Sequence, residues 1–313
     1  MRSARNRTTS SATASSDIAM DRIVNGIKCY SPEKLEDYSD YPSEGFDVED
    51  EMGEQNSWSE SRTRLLKRVL GDIAGQIRRE STTPRKIKLL EVGCGSGKFL
   101  SALAGDVSLS LTGSEVYLKG LQSEKIWNSD KSVEFVQLDV ERDAIPEKFD
   151  VIGAFDVLEH IPDDLAALRN VGEMLEEGGY FVITVPQYMF MWSGLDELVM
   201  HKRRYSRKEL LSKLAQSGFT VEYCTSYLFL LFPLMLLSRM MDNAMKPAAA
   251  DRSGALKSKV QFPAFLNHAF GKVMRIDEAL IGRRIRLPFG GSLLVIARKP
   301  PLVATTQANT VRE

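Results

Sequence analysis

One segment, LLEVGCGSGKFLSAL at residues 89–103, constrains this chain more than any other. An apolar run ends in Glu91, a loop supplies Gly93, Gly95 and Gly97, and a helical pattern begins at once. Glycines at such a junction let the backbone turn tightly and approach a ligand with no side chain in the way. The spacing discriminates between ligands. A dinucleotide fingerprint reads GxGxxG, whereas this run is GxGxG with an acid two residues before it. A phosphate-binding P-loop needs Ser or Thr after its lysine, and here Lys98 is followed by Phe99.

Around this segment, short apolar runs alternate with helical stretches, the signature of a parallel sheet with crossover helices. The expected strands are Lys88 to Val92, Leu109 to Ser114, Val133 to Leu138, Asp150 to Phe155, Tyr180 to Val185 and Ser292 to Ala297. Helices are expected near Lys98, Val116 and Leu165, the last running to Gly178 and Gly179, and again from Arg207 to Ser217. Before the sheet, Trp58, Leu65, Leu66, Val69, Leu70, Ile73 and Ile77 recur at helical steps up to the breaker Pro84. Acids end successive strands: Glu115 after the second, where a carboxylate can accept hydrogen bonds from both ribose hydroxyls of a nucleoside, and Asp139 after the third.

The chain has 313 residues, 43% of them hydrophobic, enough for one medium domain with extensions and a sizeable core. Its net charge of -1 argues against bulk nucleic-acid binding. That total hides a segregation by sign. Residues 31–60 carry 11 acids against one basic residue, and residues 228–287 carry 10 basic residues against 4 acids. Cys29, Cys94 and Cys224 lack CxxC or histidine-spaced partners, so neither a disulfide framework nor a metal site is expected. The first 20 residues lack the apolar run of a secretory signal, which favours a cytoplasmic location. Residues 1–55 show no sustained apolar period and read as a disordered or loosely docked acidic extension; 301–313 read as a disordered tail.

With the glycine loop and the strand-end acids in register, the sequence resembles the class I S-adenosylmethionine-dependent methyltransferases, in particular a bacterial group with a generic methyltransferase domain, over about residues 56–300. The resemblance implies a Rossmann-like α/β fold, a seven-stranded sheet flanked by helices whose last strand, SLLVIAR, is antiparallel, and S-adenosyl-L-methionine as cofactor. It assigns Glu91, Gly93, Cys94, Gly95 and Gly97 to the methionine part, Glu115 to the ribose, Asp139 and Val140 to the adenine border, and Phe155 and Asp156 to the floor beneath the cofactor. Downstream, TVPQYMFMWSGLDELVMHKRRY resembles a subgroup segment of the form WS-D-HRRY, whose members often accompany cell-envelope or lipid-modifying enzymes. Where that subgroup has an aromatic-rich segment before an Arg, this chain reads NSWSESR and keeps only Trp58 and Arg62.

A sulfonium methyl is already activated, so the protein must align a nucleophile, exclude water and remove a proton from a hydroxyl or amine. His160, just past the fourth strand, and His201 are the candidate bases; the alternative for each is a structural position. Trp58, Trp192, Asp196, Arg204 and Tyr205 are the candidate substrate contacts. The expected reaction is methylation of O or N on a small or lipid-linked molecule. A soluble enzyme of secondary metabolism and a non-catalytic cofactor-binding scaffold are the rivals. The apolar run from Tyr227 to Met241 is too short to span a bilayer comfortably. It reads as a buried or substrate-covering helix, or as a segment in peripheral contact with the inner face of a membrane beside its basic insert.

Overall fold

The computed structural model describes residues 22–34, 57–121, 132–244 and 263–301. The sheet is laid down by β1 (Arg22–Val24), β2 (Ile27–Cys29), β3 (Ile87–Val92), β4 (Leu109–Glu115), β5 (Val133–Gln137), β6 (Phe149–Phe155), β7 (Leu175–Pro186), β8 (Thr220–Tyr227) and β9 (Ser292–Arg298). Their spatial order is β1-β2-β5-β4-β3-β6-β7-β9-β8. From β5 to β7 the strands run parallel, and β9 is antiparallel to both β7 and β8. The seven strands of the expected topology are therefore β3 to β9, with a chain reversal in sheet order between β3 and β6. Ligands of open α/β sheets bind at such a switch point, outside the carboxyl ends of the strands.

Period-two alternation builds two cores, one on each face. Leu89 faces the layer that includes Leu65, Leu66, Val69 and Ile73 of helix α1 (Ser57–Glu80), while Leu90 faces Ala167, Leu168 and Val171 of α4 (Asp164–Met174). Two short helices lie between these in sequence, α2 (Lys98–Leu103) and α3 (Leu118–Leu121). They are followed after β7 by α5 (Gly194–Leu198) and α6 (Arg207–Gln216), and after β8 by α7 (Phe232–Ala244) and α8 (Ala264–Ile281).

Three expectations change. Part of the N-terminal extension is an ordered hairpin, β1 with β2, and β2 pairs in parallel with β5 while Ile27 and Cys29 enter the core. Three-residue strands are too short to leave a period in the sequence. The rest of the extension, residues 1–21 and 35–55, lies outside the described residues, as do 245–262 of the insert and 302–313 of the tail. Helix α4 stops at Met174 rather than at Gly178, because Leu175 is already extended and pairs with Phe149. Gly178, at φ 77°, lies inside β7, and a Cβ on Gly179 would stand 2.8 Å from the Glu176 carbonyl oxygen and 3.1 Å from that of Asp150. The run from Tyr227 to Met241 is split, the end of β8 followed by α7, which is not buried: Leu234, Leu237, Met240 and Met241 are exposed. No described helix is long and apolar enough to cross a membrane.

Candidate functional site

The glycine loop closes β3 in left-handed backbone, with φ of 67°, 53° and 69° at Gly93, Gly95 and Gly97. Side chains disfavour that region. At Gly93 space is lacking too, since a Cβ would stand 2.5 Å from Val157 Cγ2. The loop is tied to the second strand: the Gly95 amide donates to Glu115 Oε2 at 3.0 Å, and the Val116 amide donates to Oε1 at 2.8 Å. A buried carboxylate, Glu91, lies below the loop and another, Glu115, beside it. This is a cradle of bare backbone flanked by acceptors, and it suits a cofactor with an ammonium group and a ribose.

Other residues assigned to that cofactor contribute backbone or shape. The Cys94 side chain packs into the core, where burial pushes its thiol well up in pKa. Phe155 is buried edge-on against Phe99, with ring centroids 5.1 Å apart. Val140 is buried, and its carbonyl accepts from Asn170 Nδ2 at 2.9 Å. Asp139 keeps its carboxylate at the third strand end, its pKa raised by burial, and its amide donates to Ser31 Oγ at 2.9 Å. The N-terminal hairpin thus delivers Ser31 to Asp139 at the third strand end, a contact with no signal in the sequence.

At the carboxyl end of β6, Asp156 adopts φ 59° and pairs with Arg62 at 2.5 Å. The Arg62 guanidinium stacks over Trp58, 4.6 Å from the ring centroid. Helix α1 therefore reaches across the strand end, and Trp58, Arg62, Asp156, Thr184, Tyr227 and Ser292 line one small cavity. Trp192 is half-buried after the turn Met189–Met191.

The two histidines meet. His160 and His201 lie with ring centroids 4.7 Å apart, although they come from the loop after β6 and the segment after α5. A left-handed residue, Met200 at φ 60°, turns the chain so that the His201 amide donates to the Asp196 carbonyl at 2.9 Å. The segment is clamped onto the β6 loop by Lys202, whose amide donates to the Glu159 carbonyl at 2.8 Å, and by Tyr205, whose hydroxyl donates to Asp164 at 2.6 Å. His201 Nδ1 stands 2.8 Å from Asp196 Oδ1, and its Nε2 stands 3.8 Å from Glu159 Oε1. Burial would raise the Asp196 pKa, but hydrogen bonds from His201 and Arg204 outweigh it and hold the carboxyl at about 2.

Asp196, Arg204 and Tyr205, expected to touch substrate, are instead buried supports. Asp196 forms the capping box of α5 with Ser193 and accepts from Arg204 Nε at 2.7 Å. Tyr205 is sealed by Asp164 and the Leu158 carbonyl, 3.1 Å away. His160 is held neutral, its pKa pushed down to about 3 by burial and by the neighbouring His201.

Glu159 was missed. It is fully buried, both carboxylate oxygens lack a hydrogen-bond donor among the described residues, and burial, reinforced by the charge of Asp156, raises its pKa well above the carboxylate range. Its only sequence signal is the pair Glu159-His160 at a strand end. Glu159, His160 and His201 each offer a ligand atom within 4.8 Å of the others, a spacing that could hold a metal ion, against the expectation of no such site. Cysteine and histidine spacing could not show it, because the third member comes from a different element.

Comparison with known proteins points to one family. A family model described as a methyltransferase domain matches residues 59–223. A ubiquinone biosynthesis O-methyltransferase of Aliivibrio fischeri is 25% identical over 204 residues, which is 60% of this chain and 82% of that protein. The protein of that name from Pseudomonas fluorescens is 34% identical over 152 residues, 43% of this chain and 65% of its own length. Among solved structures, an S-adenosylmethionine-dependent methyltransferase from Mesorhizobium loti aligns with 18% identity and a TM-score of 0.44, covering 72% of this chain and 96% of that one.

Proposed function

Since the chain belongs to the class I S-adenosylmethionine-dependent methyltransferases, we propose that it methylates a hydroxyl oxygen of a small or lipid-linked molecule. The observation that carries this reading is the Asp196–His201 pair held against the β6 loop at the sheet's switch point. The ubiquinone O-methyltransferase relatives support oxygen as the acceptor atom.

Gly93, Gly95 and Gly97 would hold the cofactor's methionine part, Glu115 its ribose and Asp139 the edge of its adenine. Bound there, the cofactor supplies an electrophilic methyl group. The protein's own residues do the rest. Asp196, kept ionised, accepts the Nδ1 proton of His201 and so leaves Nε2 as the proton acceptor. Nε2 takes the acceptor's hydroxyl proton, while Trp58 and Arg62 cover the strand end and limit water there. Asp196 and Arg204 are positioning residues, set one step behind the chemistry.

The acceptor is expected at the cytoplasmic face of a membrane, in keeping with the apolar and basic stretch after β8. The test is a panel of hydroxyl, amine and carboxylate acceptors incubated with the purified chain and labelled S-adenosylmethionine. Products heavier by one methylene should come from hydroxyl acceptors. His201→Ala should lower kcat by about 10²- to 10⁴-fold with cofactor affinity unchanged. Methylation of amines only, or full turnover in His201→Ala, overturns the reading.

A further inference from the structure

Helix α7 is apolar on both sides: Met235 packs on the core, yet hydrocarbon also faces outward. Its outward arc carries Leu234, Leu237, Met240 and Met241, each between 49% and 63% exposed. Its inward side carries its only basic residue, Arg239, which donates to Ser193 Oγ at 2.9 Å. A surface helix ordinarily shows charge to water and hydrocarbon to the core.

The helix does not stand alone. Of the exposed large apolar side chains among the described residues, all but Ile23 and Val107 lie between Met189 and Phe289. Aromatic contacts join the Met189–Phe190 turn and Phe289 to the start of α7: Phe190 and Phe289 both pack against Phe232, with centroids 6.5 and 5.4 Å apart. Contiguous exposed apolar surface of this kind marks a contact with something.

Exposed cations lie on α8 and on the segment that leads to Phe289. Lys272, Arg275, Arg283, Arg284 and Arg286 are exposed. The acids of α8 are turned inward: Asp277 is buried and accepts from the Phe229 amide at 2.6 Å, and Glu278 binds Arg64 at 2.8 Å. Exposed hydrocarbon together with outward-facing cations suits a surface that meets the interface of an anionic bilayer.

We propose that α7, with the Met189–Phe190 turn and Phe289, docks this protein on an anionic lipid surface, the cations of residues 272–286 contacting the headgroups. The inference rests on the membrane part of the proposed function and makes it specific. Docking would also aim the site. Pro186, at the carboxyl end of β7, leads into the Met189–Phe190 turn, and Phe289 precedes Ser292, which lines the cavity with Asp156. A lipid-linked acceptor would then enter without leaving the bilayer.

The experiment is vesicle flotation of the full chain at low salt, with phosphatidylglycerol–phosphatidylcholine or pure phosphatidylcholine vesicles. Wild type should float with the anionic vesicles and much less with the neutral ones. The double variant Leu237→Ser, Met241→Ser should bind roughly tenfold more weakly. Arg283→Glu with Arg286→Glu should lose about fivefold or more per charge changed. Both variants should keep the wild-type melting temperature and cofactor affinity. The proposal fails if wild type ignores anionic vesicles, if neutral vesicles bind equally, or if the serine variant floats like wild type. It also fails if that variant instead converts a dimer to a monomer, since the face would then belong to a second copy. The readout needs no turnover, so its failure leaves methyl transfer untouched.

Discussion

The two halves of the site are built by different means. On the cofactor side, β3 and β4 supply a loop whose shape comes from three left-handed glycines and whose partners are backbone amides bound to Glu115. On the side proposed for the substrate, beyond β6, the geometry comes from side chains that meet across large sequence gaps: Glu159 and His160 from one loop, His201 and Asp196 from another. The first half is a property of consecutive residues. The second is a buried electrostatic assembly, in which every member depends on its partners.

Removing the anchor of that assembly should give the largest effect. Asp196→Ala leaves Arg204 buried without its carboxylate and His201 without its Nδ1 acceptor. The expected loss is about 3–5 kcal/mol of stability at neutral pH, read by denaturant unfolding. The contribution should also depend on pH in a definite direction. The folded pKa of about 2 lies below the unfolded value of about 3.8, so the stabilisation is present above about pH 4 and lost as pH falls through 2. The gap between wild type and Asp196→Asn should therefore close over that window, and a gap that persists would show that shape rather than charge holds the segment.

Gly93→Ala tests the other half, with an expected cost of about 2–4 kcal/mol. A left-handed conformation costs an alanine about 1–2 kcal/mol, and a Cβ 2.5 Å from Val157 adds a packing term of similar size. Unfolding should show the loss of stability, and calorimetry should show weaker cofactor binding beside it. If affinity holds and only stability falls, the loop shapes the fold without cradling a ligand.

What could be read in the sequence follows the same division. The strands β3 to β7 and β9, the glycine loop, Glu115 and helix α1 all declare themselves within short windows, through period and turn residues. The hairpin of β1 and β2 did not, because its strands have three residues each and its stability comes from pairing with β5. Glu159 did not, because the second acid in DVLEHI is unremarkable until the fold buries it and brings His201 to its side. Asp196, Arg204 and Tyr205 were visible as a cluster, but whether such residues face a ligand or brace one another is decided by packing.

His160 offers a smaller test of the electrostatic half. Its folded pKa of about 3 lies below the unfolded value of about 6.5, so the unfolded chain binds the proton more readily between those limits. Stability should fall on acidification through that range, by on the order of 1–2 kcal/mol between pH 7 and pH 5. His160→Gln should remove this part of the slope, seen as a flatter plot of melting temperature against pH. An unchanged slope would place the titrating group elsewhere and leave His160 as a packing residue.

The smallest effect is the most discriminating, because it has the opposite sign. Gly71 lies in α1, and a Cβ built there meets nothing within 4 Å. Alanine is favoured over glycine inside a helix by about 0.5–1 kcal/mol, so Gly71→Ala should raise the melting temperature by about 1–3 °C. The same substitution at Gly93 should weaken the protein. That contrast separates a glycine the backbone requires from one it tolerates, with the chemistry of the change held constant. Loss of stability at Gly71 would mean that this turn of α1 is covered by part of the chain, and the surface between α1 and the sheet would have to be reassigned as an interface.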